Sequence, residues 1–147
     1  MKSLPLSDQI FDHFLELKID FVPLYPTETG LKKSIFDATQ PVVHFLLKNG
    51  IHNYESQGRG PLHKKLVETT FIHRLGETKI KTSFYRPETK NGDARLWPAH
   101  ASKFVEAGDT LALLFLDGCF LIVNFTAVGI SGFEEAIGRL GLLEHLK

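Results

Sequence analysis

Residues 111–125 constrain the fold of this chain more than any other stretch. Leu111 to Leu116 and Cys119 to Phe125 are two apolar runs joined by Asp117-Gly118. Asp-Gly between apolar runs signals a two-residue hairpin, because a type I′ turn needs positive φ at both central positions. The chain is thereby committed to antiparallel β-structure near its C-terminal end. Cys119 is the single cysteine. No disulfide can form within the chain, and its place in an apolar run predicts a buried structural thiol.

The remaining segments alternate between short strands and helices. Ser7 is a plausible N-cap for a helix over Asp8 to Leu17, with Ile10, Phe11, Phe14, Leu15 and Leu17 at helical spacing. Ile19, Phe21, Val22 and Leu24 form a strand that Pro23 confines to an edge or a bulge. Pro26 to Gly30 reads as a loop. Leu31 to Asn49 is partly helical, with Asp37 or Thr39 as cap, Pro41 in the first turn and Gly50 as the stop. Gln57 to Pro61 is a second loop. Val67, Thr69, Thr70 and Phe71 favour a strand over Leu66 to Ile72. Pro98 to Ala107 suits one short helix, and Gly132 to Lys147 a last one, with Phe133, Ile137, Leu140 and Leu143 on one face. Many short strands with Gly and Pro turns and two or three flanking helices predict an α+β domain with a curved, mostly antiparallel sheet or small barrel. The expected organisation is one domain over 1–131 followed by the helix 132–147, the possible start of a linker.

Composition narrows the function classes. The formal net charge is zero and the apolar fraction is 43%. That composition is ordinary for a folded domain and argues against a basic nucleic-acid coat protein. A reader of nucleic acid with a local basic patch remains open, because counterion release depends on the cations at the contact. No stretch approaches the roughly 18 apolar residues of a spanning helix. Asp8, Asp12 and His13 interrupt any leader-like run. The expected setting is reducing and cytoplasmic, without a membrane.

Lys79 to Trp97, KIKTSFYRPETKNGDARLW, carries the densest chemistry. Ile80, Thr82, Phe84 and Arg86 alternate with Lys81, Ser83 and Tyr85 as in a strand. The strand breaks at Pro87, and Thr89 to Asp93 make a turn before the apolar run Ala94 to Trp97. Lys79, Lys81, Arg86, Lys90 and Arg95 cluster in or beside the loop. Arg and Lys read guanine, Asn suits adenine and a carboxylate accepts from cytosine. Arg86, Lys90, Asn91, Asp93 and Arg95 offer that vocabulary together, whereas Glu88 and Asp93 would be out of place in a loop that touches phosphates alone. The plain alternatives are a solvated hairpin tip, Arg95 paired with Asp93 or Glu88, and Trp97 as core or as a platform under the loop.

The pattern from Asp37 to Asn124 resembles the N-terminal DNA-recognition domain of restriction endonucleases related to EcoRII, and the domain fused in front of MvaI/BcnI-type nucleases. Thr29-Gly30, Gly58-Arg59-Gly60-Pro61, Phe84 to Pro87, Thr89 to Trp97, Gly108 to Leu113 and Val123-Asn124 carry the resemblance. It implies a DNA-binding pseudobarrel that grips duplex DNA with two arms in the major groove. The arms map to Thr27–Ser34 and Arg86–Trp97. Leu31-Lys32-Lys33 is bulkier and more basic than the Gly- and His-rich first arm of EcoRII. The implied base-reading candidates are Lys32, Lys33, Arg86, Lys90, Asn91, Asp93, Arg95 and Trp97. By side-chain chemistry the phosphate candidates are Thr29, Ser34, Arg59, Lys64, Lys65, Lys79 and Lys81, with a plain solvated face the alternative for Lys64-Lys65. The resemblance implies double-stranded DNA as partner, and the isolated domain is expected to be monomeric. It implies no cofactor here, and Mg²⁺ only for an associated nuclease domain.

Two other readings stay open. Glu77-Thr78-Lys79 matches the E-x-K half of a metal-dependent nuclease site, with Glu68 the only nearby acid. A protein-interaction domain without nucleic acid is the third. The scattered histidines lack the spacing of a zinc pair, although His63 and His100 fit phosphate contacts. No phosphate loop and no nucleophile elbow is present.

Overall fold

The computed structural model describes residues 19–142 and, at Lys90, the backbone alone. The expected helix over Asp8–Leu17 and the position of Leu143 lie outside the described residues. Seven strands, β1 (Phe21–Leu24), β2 (Phe36–Asp37), β3 (Lys65–His73), β4 (Gly76–Tyr85), β5 (Arg95–Pro98), β6 (Leu111–Leu116) and β7 (Cys119–Asn124), form one curled sheet. Its order is β1-β6-β7-β3-β4-β5-β2. Every described pairing is antiparallel except β3 with β7. Among the described residues four helices complete the α+β half-barrel: α1 (Glu28–Lys33), α2 (Gln40–Lys48), α3 (Ala101–Phe104) and α4 (Phe125–Arg139). None of them is long and apolar enough to cross a membrane.

The β6–β7 hairpin turns on Asp117 and Gly118, both at positive φ (48° and 77°), the conformation that the Asp-Gly pair favours. Pro23 lies on β1, an edge of the sheet, opposite Ala112 of β6. A proline there leaves no ladder hydrogen bond unmade if its missing N–H faces outward. Thr39 precedes α2 as its cap residue and Pro41 sits in the first turn.

Side chains that alternate along each strand build two cores. On the inner face, Phe36, Phe71, Phe84, Leu96 and Ile122 pack with Val42, Phe45 and Leu46 of α2, which plugs the half-barrel. On the outer face, α4 lays Phe133, Ala136 and Ile137 over Ile72, Leu114, Leu121 and Val123. Burying each such side chain contributes roughly 1.5–3 kcal/mol. The register places Leu66, Ser83 and Trp97 in one row of the outer face, Glu68 and Lys81 in the next, and Thr70 and Lys79 beyond. Leu66, Glu68, Lys79 and Lys81 of this strip are solvent-exposed.

Four sequence expectations need correction. Pro26–Gly30 is not wholly a loop, since α1 starts at Glu28. The Thr27 side-chain oxygen accepts from the Gly30 amide at 3.0 Å, and Glu28 at the start with Lys32 and Lys33 at the end complement the helix dipole. Pro98–Ala107 contains only the single turn α3. The last helix begins at Phe125, capped by the Asn124 side chain, and breaks within itself at Gly129, where φ is 69°. Cys119 is exposed. It opens β7 beside the turn, before the pairing with β3 begins at Leu121, so neighbours that cover Leu121 do not cover it.

Candidate nucleic-acid interface

The two candidate arms are the connections between β1 and β2 and between β4 and β5. The edge strands β1 and β2 do not pair with each other, and a cleft of about 680 Å³ opens between them. Val22 to Tyr25 of β1 and its exit form one wall, and Ile35 to Asp37 the other. Thr27, Thr29 and Lys33 of the first arm line the cleft, and so does Arg95 at the root of the second. Roots of both arms therefore meet at one concave surface, mainly apolar with a few charged and hydroxyl groups.

The first arm is the short helix α1. Ser34 ends it in the left-handed conformation (φ 58°), where its backbone amide bonds the carbonyls of Gly30 and Leu31. Thr29, Lys32, Lys33 and Ser34 are all exposed. Lys32 pairs with Glu28 one turn earlier at 3.6 Å, an exposed contact of little energy. Lys33 reaches into the cleft.

The second arm is held by its own arginine. Arg86 Nε donates to the Gly92 carbonyl at 2.8 Å, and its Nη1 donates to the carbonyls of Gln57 (3.3 Å) and Tyr54 (3.4 Å). The arm tip, Lys90–Gly92, is one turn of 3₁₀ helix with Asn91 at φ 60° and Gly92 at φ 68°. Asn91 and Asp93 face solvent, beyond the anchored part of the loop.

The Gln57–Pro61 loop buttresses this arm. The Gly60 amide donates to the Arg86 carbonyl at 2.8 Å. A Cβ on Gly92 would lie 2.5 Å from Arg59 Nε, and one on Gly60 would lie 2.7 Å from a Glu88 carboxylate oxygen. Each loop thus supplies a glycine on which a side chain of the other rests. Gln57 Nε2 donates to the carbonyls of Phe84 and His63, both at 2.8 Å, and its oxygen meets His52 Nε2 at 3.0 Å. His52 is buried and stacked on Phe84. Burial lowers its pKa, and the Gln57 bond partly opposes this. None of this interlock was read from the sequence, although the glycines in both loops were its signal.

Arg95 and Trp97 rise from β5. Arg95 stands between Tyr85 of β4 and Asp37 of β2. It bonds the Tyr85 side chain, while its buried Nε has no hydrogen-bond partner. Burial raises the Tyr85 pKa; the charge and hydrogen bond of Arg95 oppose that, and Asp37 adds to it. Neither Asp93 nor Glu88 forms a described ion pair with Arg95. The buried Tyr54 hydroxyl donates to the Arg95 carbonyl at 2.8 Å, fixing the strand. Trp97 is half-buried against Phe36 of the inner core, with ring centroids 5.2 Å apart.

The remaining cations are dispersed. Lys79 and Lys81 line a second depression of about 580 Å³ with Glu68, His100 and Cys119. Lys64 lies over the Tyr85 ring, 5.3 Å from its centroid, and Lys65 donates to the Ile51 carbonyl at 3.2 Å. Glu77 of the E-x-K pattern accepts from Arg139 of α4, with both Nε and Nη2 at 2.7 Å. Among the described residues no group of three or more His, Cys, Asp or Glu is placed to hold a metal ion.

No protein-family model, curated protein or solved structure matches this chain.

Proposed function

We propose that this chain is a sequence-specific duplex-DNA-binding domain that reads the major groove with two arms, as the recognition or effector domain of a type II restriction endonuclease. The observation that carries the reading is the shared cleft, where Lys33 and Thr29 of one arm and Arg95 at the root of the other line a single concave surface. Preorganisation adds to it. Arg86 spends its donors on three backbone carbonyls, so the second arm is ordered before it meets a partner. In this account Arg86 holds the arm, Asn91, Asp93, Arg95 and Lys33 contact bases, and Lys79, Lys81 and Arg59 meet phosphates. The fold itself supports no activity, because one fold hosts many functions; the arrangement of side chains supports this one. Selection from a random duplex pool tests the reading. The expected result is enrichment of a short consensus, and a pool that stays random after repeated selection contradicts it.

A further inference from the structure

The loop that buttresses the second arm has a feature that holding the arm does not require. Leu62 is 95% exposed at its apex, within the turn Pro61–His63, and Pro61 beside it is also exposed. A single exposed leucine is ordinary on a protein surface. This one is held out by a clamped turn. The His63 amide bonds the Gly60 carbonyl at 3.1 Å, and Gln57 Nε2 bonds the His63 carbonyl at 2.8 Å. The Gly60 amide ties the turn to Arg86, and the His63 ring rests on Gly58, 2.8 Å from where a Cβ would stand. Arg59, Lys64 and Lys65, all exposed, flank the turn in sequence; the Arg59 head lies against Gly92, that of Lys64 over the Tyr85 ring, and that of Lys65 donates to the Ile51 carbonyl. The Glu88 carboxylate, the acid described against this loop, is folded back over Gly60.

We propose that Pro61-Leu62 is an apolar wedge that enters the stack between adjacent base pairs and bends the duplex beside the step contacted by the second arm. The proposal rests on the duplex-binding reading. A wedge needs three properties: an apolar tip, a mount rigid enough to push against stacking, and neighbouring cations to hold the flanking phosphates. Leu62 and the clamped turn supply the first two; Arg59, Lys64 and Lys65, exposed neighbours of Leu62 in sequence, supply the charge once their heads leave their present contacts for phosphates. Rigidity matters because a flexible leucine would lose its insertion energy to ordering.

Energy transfer between dyes at the two ends of a duplex of about 30 base pairs, carrying the consensus enriched from the random pool, measures the bend. The wild-type chain is expected to bring the ends together by the equivalent of a kink of at least about 20°. Leu62→Ser is expected to lose the bend while still binding the same duplex, and Leu62→Met to retain it. The side chain is exposed, so all three proteins are expected to melt at the same temperature. Binding without a bend, or an equal bend with Leu62→Ser, overturns the wedge and leaves the two-arm reading standing. If the pool yields no consensus and no duplex is bound, the two-arm reading fails and takes the wedge with it.

Discussion

Arg86 Nε donates to the Gly92 carbonyl at 2.8 Å, across the turn that the Arg86 segment itself leads into. The bond closes the second arm on its own root, and the two contacts from Nη1 tie that root to Tyr54 and Gln57. The arm is thereby ordered by backbone acceptors, which leaves the side chains of Asn91 and Asp93 available.

Removing that tie should cost more than a surface arginine usually does. Arg86→Ala leaves the carbonyls of Gly92, Tyr54 and Gln57 without their donor, and hydrogen bonds from charged groups contribute about 1.5–3 kcal/mol each at most. With the group only half-buried, the expected loss is about 1–3 kcal/mol in all. Arg86→Lys should recover little, because an ammonium cannot reproduce the planar fork. Denaturant unfolding of the three proteins checks this. Equal midpoints for wild type and Arg86→Ala would show that the tie carries no stability.

Arg95 and Lys81 should behave differently. If Arg95 reads a base edge, Arg95→Ala should cost about 1–3 kcal/mol on the enriched duplex and much less on random duplex. Lys81→Ala should weaken both alike and reduce the salt slope by about one unit. Arg95 also bonds Tyr85, so melting temperatures must be compared first. Losses on both duplexes that track a lower melting temperature would make Arg95 a structural residue only.

Stability should fall on mild acidification. Burial lowers the pKa of His52 and of His73 from the usual 6.5. For His73, Glu77 opposes that shift and Arg74 adds to it. The Leu75 amide donates to His73 Nδ1 at 3.1 Å, so Nε2 carries the proton given to Thr78 at 2.7 Å. A second proton would break the Leu75 bond. Because the folded pKa values are depressed, the unfolded chain binds more protons below about pH 6.5, and stability falls as pH drops from about 7 toward 5. A melting temperature flat over that window would contradict the assignment, and His73→Gln should flatten the wild-type curve in part.

Glu77 distinguishes the binding domain from a small nuclease. Its carboxylate bonds Arg139 on α4. Glu77→Ala should lower stability by less than about 1 kcal/mol, as for a partly exposed ion pair. It should leave duplex binding nearly unchanged, and the wild-type chain with magnesium should leave DNA intact. Cleavage by wild type that disappears in Glu77→Ala would establish the nuclease instead.

What the sequence made legible was local. The Asp117-Gly118 turn, Pro23 on an edge strand, Pro41 in the first turn of α2 and the alternation of Ile80, Thr82 and Phe84 each depend on a few neighbouring residues. Pairings made across the fold were not legible. The parallel contact of β3 with β7 and the cleft between β1 and β2 depend on how the sheet curls. Arg86 looked like a base reader because the acceptors Tyr54 and Gln57 lie about 30 residues away in the chain. Pro26–Gly30 resembled a loop because Gly30 and its threonines suit turns, yet Thr27 caps a helix there. Cys119 looked buried because its run is apolar, and only its place at the hairpin end exposes it.

The most direct test of the central claim is competition binding of the enriched duplex against random duplex, across a range of salt. The account predicts tighter binding to the enriched duplex at every salt concentration. It also predicts that log affinity falls against log salt with a slope near −5, if roughly five or six phosphates are neutralised. Equal affinity for both duplexes at low and high salt would contradict it.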